Sequence, residues 1–541
     1  MVVDQSAALP RWTPGEEPPA LTPQALRRAV HQVRSPAHVI QEESTGRVGI
    51  GFGGRIDPHN ASSQFRHITT LPGLYPEWLG DRGFGEIHGA RFPYVGGAMA
   101  NGIASPEMVV ALARAGMMGF LGTAGLSLDE IRDYVTATRS ELDGTGLPWG
   151  ANLIHSPQQP ELEMATVDTF FELGVTTASA SAFMDLTPAV VRFAATGLRR
   201  LHDGTIERRH RLFAKISRPE VAEKFMRPAP DRLLQSLVES NQLTKQEAAL
   251  AAEVPVAEDL TVESDSGGHT DNRPLSALFP VISRLRDRIQ REQNYRRPIR
   301  LGAAGGLGTP SAVAAAFSLG AAFVVTGSIN QACVEAAQSE AVKEMLADAA
   351  FSDVVMAPAG DMFEMGVEVQ VLQRGTMFPS RAKKLYDVYS RYDGIEQIPD
   401  EVRRQLEDQI FRDDIDAIWQ KTRSYFQKND PDEARRAEED PKHRLALVCR
   451  WYLGLSSKWP LEGNESRRLD YQVWMGPAQG AFNDWVEGSF LEEPAQRQVA
   501  QVGLNLMEAA AIITRAQQFR TYGAAVPAEA FDVAPRCLAT R

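Results

Sequence analysis

The most constraining feature of this chain is a rhythm that begins near residue 92. Short apolar runs ending in small residues alternate there with amphipathic runs of helical period. The runs are FPYVGGAMA (92–100), MGFLGTAG (118–125), WGANLIH (149–155), TTASASAF (176–183), RLFAKIS (211–217), LTVESD (260–265), IRLGAAG (299–305) and AFVVTGS (322–328), eight in all. The helical runs between them carry their own boundaries. Ser105-Pro106, Thr187-Pro188 and Thr309-Pro310 each pair a capping hydroxyl with a proline at the first helical position, and Gly116, Gly197 and Gly320 stop the same helices. Ser127 and Glu130 form a capping box. Eight strands joined by capped helices require parallel pairing through right-handed crossovers, so the predicted fold class is α/β, a (β/α)8 TIM barrel. A doubly wound open sheet is the runner-up, but GGAMANG after the first strand does not fit the dinucleotide fingerprint.

Parts of the chain lie outside the rhythm. Residues 1–90 read as an N-terminal leader and packing segment, its proline- and acid-rich start loose except where it packs. Residues 91–350 are the barrel. Residues 226–260 are too long and too helical for a loop and read as a small inserted helical subdomain. Residues 351–541 read as a lid-like segment followed, from about 380, by an α-helical extension whose Trp451, Trp459, Trp474 and Trp485 are core positions.

With 541 residues, 43% hydrophobic, 23% charged and a net charge of −12, the composition is that of a globular protein and argues against a dedicated nucleic-acid binder. The cluster Arg208-Arg209-His210-Arg211 reads as a solvated face. Cys333, Cys449 and Cys537 lack metal-ligand spacing, so no metal site and no disulfide framework is expected, and a reducing cytoplasm fits. No stretch of about 18 uncharged apolar residues suggests a membrane span, and no export signal is seen at the N-terminus.

In such a barrel the loops after the strands form the active face. GAAGGLGTP places the bare N–H groups of Gly305 and Gly306 ahead of a helix, and VVTGSINQA places Gly327 and Ser328 at the next helix start. Together they describe a cradle for a phosphate. Asn152 offers an amide that donates and accepts, suited to a ring with mixed polar edges. Lys215 interrupts an apolar strand, and an inward lysine needs an anion. In ESDSGGHTD, Gly267 and Gly268 clear side chains where a flat ligand could lie, and His269 follows as a group able to donate a hydrogen bond or a proton. Glu263 and Asp265, two apart, point to one side as acid/base or orienting groups ranked below the histidine.

GGAMANGIASPE, GANLIHSP, SGGHTD and GAAGGLGTP with VVTGS resemble the FMN-dependent barrel family that includes nitronate monooxygenases and flavin enoyl-acyl-carrier-protein reductases. The insert before SGGHTDNRP, the segment MAPAGDMFEMGVEVQVLQRGTMFPSRAKKLYDVY and the tail with WYLGLSSKWP and RRLDYQVWMGPAQGAFNDWV resemble PfaD-type proteins, the trans-acting enoyl reductases of polyketide and polyunsaturated-fatty-acid synthases. The resemblance implies FMN with its phosphate at Gly305, Gly306, Gly327 and Ser328, its ring over Gly97, Ala98 and Met99, and Asn152 and Lys215 at its polar edge, the lysine stabilising the reduced ring. It implies His269 as the catalytic residue, NADPH or NADH as reductant, and acyl carrier protein domains of a synthase as partners; because such carriers are usually acidic, a basic docking patch near the active face is expected at Arg381, Lys383 and Lys384. The sequence Thr270-Asp271-Asn272-Arg273-Pro274 after the histidine departs from the short small-residue turn of the reductases and leaves the substrate contacts open. A nitronate monooxygenase-type flavin oxidase and a non-catalytic docking component are the competing readings, and the oligomeric state is open, a homodimer included.

Overall fold

The computed structural model describes residues 10–57, 63–157 and 159–539. Its centre is a closed barrel of eight parallel strands. In chain order these are β1 (Tyr94–Gly96), β2 (Met118–Leu121), β3 (Trp149–Ile154), β4 (Thr177–Ser181), β5 (Arg211–Ile216), β6 (Asp259–Glu263), β7 (Arg300–Ala304) and β8 (Val324–Thr326). Each pairs with the next, and β8 closes onto β1 with Val325 opposite Val95. All eight expected strands are present, within a few residues of their predicted ends.

The first seven barrel helices are α1 (Pro106–Arg114), α2 (Leu128–Leu142), α3 (Pro160–Glu172), α4 (Pro188–Ala195), α5 (Pro219–Met226), α6 (Leu275–Gln293) and α7 (Pro310–Ser318). Ser105, Thr187 and Thr309 each accept a backbone N–H at their helix starts, and the Ser127–Glu130 capping box is reciprocal. The eighth helix arrives late. It is α8 (Val499–Thr521), which packs against both α7 and α1 and thereby closes the helical ring. The expectation that residues 351–541 lie beyond the barrel is therefore corrected, because the chain leaves after β8 and returns to finish the ring. The run LNLMEAAAIITRA is apolar around most of its circumference, so no amphipathic stripe marked it as a barrel helix.

The excursion has its own hydrophobic core, drawn from residues between Ala332 and Met475. It contains an antiparallel hairpin, β9 (Val354–Pro358) and β10 (Glu368–Leu372), and helices including Phe378–Arg391, Ile415–Asn429 and Pro441–Ser456. Trp459 is buried in this core, whereas Trp451, Trp474 and Trp485 are half-buried and packed against the two main cores. The stretch 226–260 holds two helices, Asp231–Glu239 and Lys245–Ala251. Its Leu233, Leu234 and Leu237 join the core of the barrel itself.

The N-terminal part is an antiparallel five-stranded sheet. The start expected to be loose contributes a strand, Arg11–Thr13, which pairs on both sides. Trp12 is the reason: it is fully buried and its Nε1–H donates to the Gly53 carbonyl. The expected solvated basic cluster is also corrected. Arg208 and His210 are buried, the former in an ion pair with Glu258 at 3.1 Å.

The lower end of the barrel is sealed. Phe84, Val95, Met118, Phe120, Phe213 and Phe323 fill it, with Phe84 and His88 supplied by the helix Arg82–His88. Beneath them Asp259 accepts a fork of hydrogen bonds from Arg300 at 2.6 and 2.7 Å and meets His88 Nε2 at 2.9 Å. The face left for chemistry is the one at the strand C-termini. No helix among the described residues is long and apolar enough to cross a membrane.

Candidate active site

Strand alternation determines what meets at the upper face. Val95, Phe120 and Phe213 point into the barrel, so Gly97, Gly122 and Lys215, two residues further along, stand on the same side at the mouth. Asp259 likewise leads to Glu263. The mouth thus has two halves: small residues after β1, β2, β7 and β8, and polar side chains on β3 to β6.

In the polar half Asn152 is buried, and its Oδ1 accepts from Ser181 Oγ at 2.8 Å. Its backbone carbonyl accepts from Thr123 Oγ1, and its Nδ2 has no protein partner among the described residues. Lys215 Nζ lies 2.9 Å from Glu263 Oε1, which also accepts from Ser266 Oγ at 3.1 Å. The anion that the inward lysine requires is therefore supplied by the chain itself. Glu263, expected as a secondary acid/base group, is that partner. Asp265 does not share its direction. It lies past the end of β6, where alternation lapses, and Gln370 Nε2 donates to its Oδ1 at 2.8 Å.

In the small-residue half, Gly97 donates its N–H to the Thr326 carbonyl at 2.8 Å, and Gly97, Ala98 and Met99 are half-buried at the mouth. Gly305 and Gly306 adopt φ of +84° and +68°, conformations that side chains disfavour. Gly305 packs against Ser264 and the Asp265 carbonyl, while a methyl group at Gly306 or Gly327 would meet nothing within 4 Å. Beyond Gly327 the expected barrel helix is only a 3-10 turn, Ser328–Asn330. Ser328 Oγ accepts from the Gly476 N–H at 3.1 Å, so the excursion reaches the glycine turn after β8 directly.

The loop after β6 is where the expectation changes most. Gly267 does not clear space for a flat ligand: a Cβ there would lie 2.9 Å from the Gly476 nitrogen and the Met475 carbonyl carbon. Its bare Cα admits the backbone of the excursion. Gly268, at φ +81°, exchanges two backbone hydrogen bonds with Gln370 of β10, at 2.9 and 2.8 Å. Gln370 Nε2 also donates to the Ser266 carbonyl at 2.8 Å. His269 follows with its Nε2 3.3 Å from Asp361 Oδ1, both side chains open to solvent at 44% and 60%. Burial acts to raise the Asp361 pKa, but the hydrogen bond and charge of His269 outweigh it and hold the carboxyl below its ordinary value. The structure pairs His269 with the excursion rather than with Lys215 or Glu263.

Ser181 and Gly122 were recoverable from strand alternation. Asp361, Gln370 and Gly476 carry no local signal, because they reach the mouth only through folding of the excursion. In the expected basic patch, Arg381 is corrected: it is committed to the fully buried Asp470, which Tyr452 also contacts at 2.8 Å. Lys383 and Lys384 remain exposed.

The profile of the nitronate monooxygenase family matches residues 85–397, more than half of the chain. The chain belongs to that family. A second profile, the inserted helical domain of [acyl-carrier-protein] S-malonyltransferase, matches residues 392–471, within the core of the excursion. The chain is 41% identical over 523 residues to one of the polyunsaturated fatty acid synthase subunits of Thraustochytrium sp., covering 95% of this chain and 34% of that protein. It is 46% identical over 441 residues to the polyketide biosynthesis protein PksE of Bacillus subtilis, covering 82% and 57%. The chain thus spans from about a third to somewhat over half of these curated relatives. Among solved structures, the enoyl reductase domain of MlnA from the macrolactin cluster of Bacillus amyloliquefaciens superposes with a TM-score of 0.78 at 36% identity, covering 82% of this chain and 99% of that domain.

Proposed function

We propose that this chain is an FMN-dependent enoyl reductase that acts in trans on α,β-unsaturated thioesters carried by acyl carrier protein domains of a polyketide or polyunsaturated-fatty-acid synthase, with NADPH or NADH as reductant. The observation that carries the reading is the two-sided mouth, glycine-lined on one half and polar on the other, in a chain similar to the MlnA enoyl reductase domain over nearly all of that domain.

The residues fit FMN. At Gly306 and Gly327 a Cβ would meet nothing within 4 Å, so a phosphate could approach that backbone, and with Gly305 and Ser328 these residues would hold it. Asn152 Nδ2 and the Lys215 ammonium would hold the polar edge of the flavin ring, and Gly97, Ala98 and Met99 would line its face. FMN, when bound, supplies the hydride-transfer chemistry. The chain supplies placement. Glu263 keeps Lys215 at the mouth, where its ammonium would sit beside the polar edge of a bound flavin and favour negative charge there. His269, at the rim, donates to the thioester carbonyl, on which negative charge develops as the β-carbon is reduced.

The test is to purify the chain, release any bound flavin by denaturation, and follow nicotinamide oxidation with a crotonyl-type thioester, carrier-bound against free. The expected result is a yellow protein that releases FMN and turns over faster with the carrier-bound substrate. Failure to bind FMN sinks the proposal. Oxygen uptake on alkyl nitronates without thioester reduction replaces it with the oxidase reading.

A further inference from the structure

The tip of the β9–β10 hairpin is held on several sides. Phe363 is fully buried against Tyr386 and Tyr389, with ring centroids 5.5 and 5.2 Å away, and Gly360 packs on Leu453. The neck is pinned to the β6 loop by the paired Gly268–Gln370 hydrogen bonds. Asp361 stands between these anchors, with its carboxylate 3.3 Å from His269 Nε2. A half-exposed pair of this kind adds little to folding stability, and the backbone bridge already fixes the register of the two segments. Stability therefore does not account for it. Its effect falls on the imidazole.

We propose that Asp361 is the positioning residue of His269, holding the Nε2–H so that Nδ1 is the ring atom offered to substrate. This rests on reading the mouth as an enoyl reductase site. A consequence follows from imidazole chemistry. With a carboxylate 3.3 Å from Nε2, the neutral ring keeps its proton on that nitrogen and presents only a lone pair at Nδ1, and an N–H is available there only in the imidazolium. Polarisation of the thioester carbonyl by His269 is thus a property of the imidazolium. The neighbouring charges are largely committed elsewhere: Asp265 to Gln370, Asp271 to Arg218, and Glu364 to Arg450. Arg273 and Glu368 are the exposed exceptions.

The experiment uses the full FMN-loaded chain and the variants Asp361→Asn, Asp361→Glu and His269→Ala. Asp361→Asn is expected to lower kcat on a carrier-bound crotonyl-type thioester roughly 10- to 100-fold with KM little changed. Asp361→Glu restores most of the rate. Independently of turnover, nitrogen NMR of the neutral His269 ring is expected to show the Nε2–H tautomer in the parent chain and a mixture in Asp361→Asn. Wild-type kcat in Asp361→Asn, beside an inactive His269→Ala, overturns the assignment, as does an unchanged tautomer. A parent chain that reduces no thioester yet shows the tautomer shift removes the reductase reading and leaves the Asp361–His269 assignment standing.

Discussion

Replacing Gly476 by alanine tests whether the excursion is part of the site. A Cβ at Gly476 would lie 2.8 Å from the Gly267 nitrogen, 2.9 Å from the Ser266 carbonyl carbon and 3.1 Å from the Ser266 Cα, where ordinary contact begins at 3.4 Å. All three neighbours are backbone, so no side chain can swing aside, and the two loops must part by about 0.6 Å. Overpacking of this kind costs about 1–3 kcal/mol. The same movement withdraws the Gly476 N–H from Ser328 Oγ, at the edge of the proposed phosphate cradle. If the strain is relieved by opening the cradle, it is expressed as a loss of FMN affinity of about 5- to 150-fold. Fluorescence titration of FMN measures this, with urea denaturation of the flavin-free protein reporting how much of the penalty remains in the fold. Gly454→Ala is the control, since a methyl group there meets nothing within 4 Å and the site lies on the helix Pro441–Ser456. It should leave FMN affinity unchanged. A Gly476→Ala protein that binds FMN as tightly as its parent would refute the claim that the excursion builds the cradle.

Asp259→Asn leaves Arg300 and His88 without their carboxylate at the sealed end of the barrel and should destabilise the protein by about 3–5 kcal/mol in urea denaturation. Burial acts to raise the Asp259 pKa, but His88 and Arg300 outweigh it and hold it at about 2. A depressed carboxylate stabilises the fold fully above its ordinary titration near 3.8, and that stability, about 2 kcal/mol, is lost as pH falls toward 2. Acid titration of stability should therefore be shallower below pH 4 in the variant than in the parent. Reversing Lys383 and Lys384 to glutamate should raise KM for the carrier-bound thioester roughly fivefold and leave KM for the free thioester unchanged. Equal KM values for the carrier-bound substrate exclude these lysines from docking. Arg381→Glu is expected instead to destabilise the fold, because Asp470 is fully buried beneath it.

The eight strands and most of the helices between them were legible in the sequence, because their boundaries carry short-range signals: an apolar run, a capping hydroxyl, a proline, a stopping glycine. The sequence also placed Lys215, Asn152, His269 and the glycine turns after β7 and β8 at strand ends, since that position follows from counting elements. Tertiary structure alone decided what those residues face. Lys215 meets Glu263 from the neighbouring strand, a pairing that depends on the register in which Lys215 stands beside Thr261. Gly267 and Gly268 receive the backbone of residues far along the chain, and His269 receives Asp361. The last helix of the ring, α8, lies beyond a long excursion with its own core. Such contacts arise from the packing of whole elements against one another, and no local propensity encodes which distant backbone a bare Cα will admit.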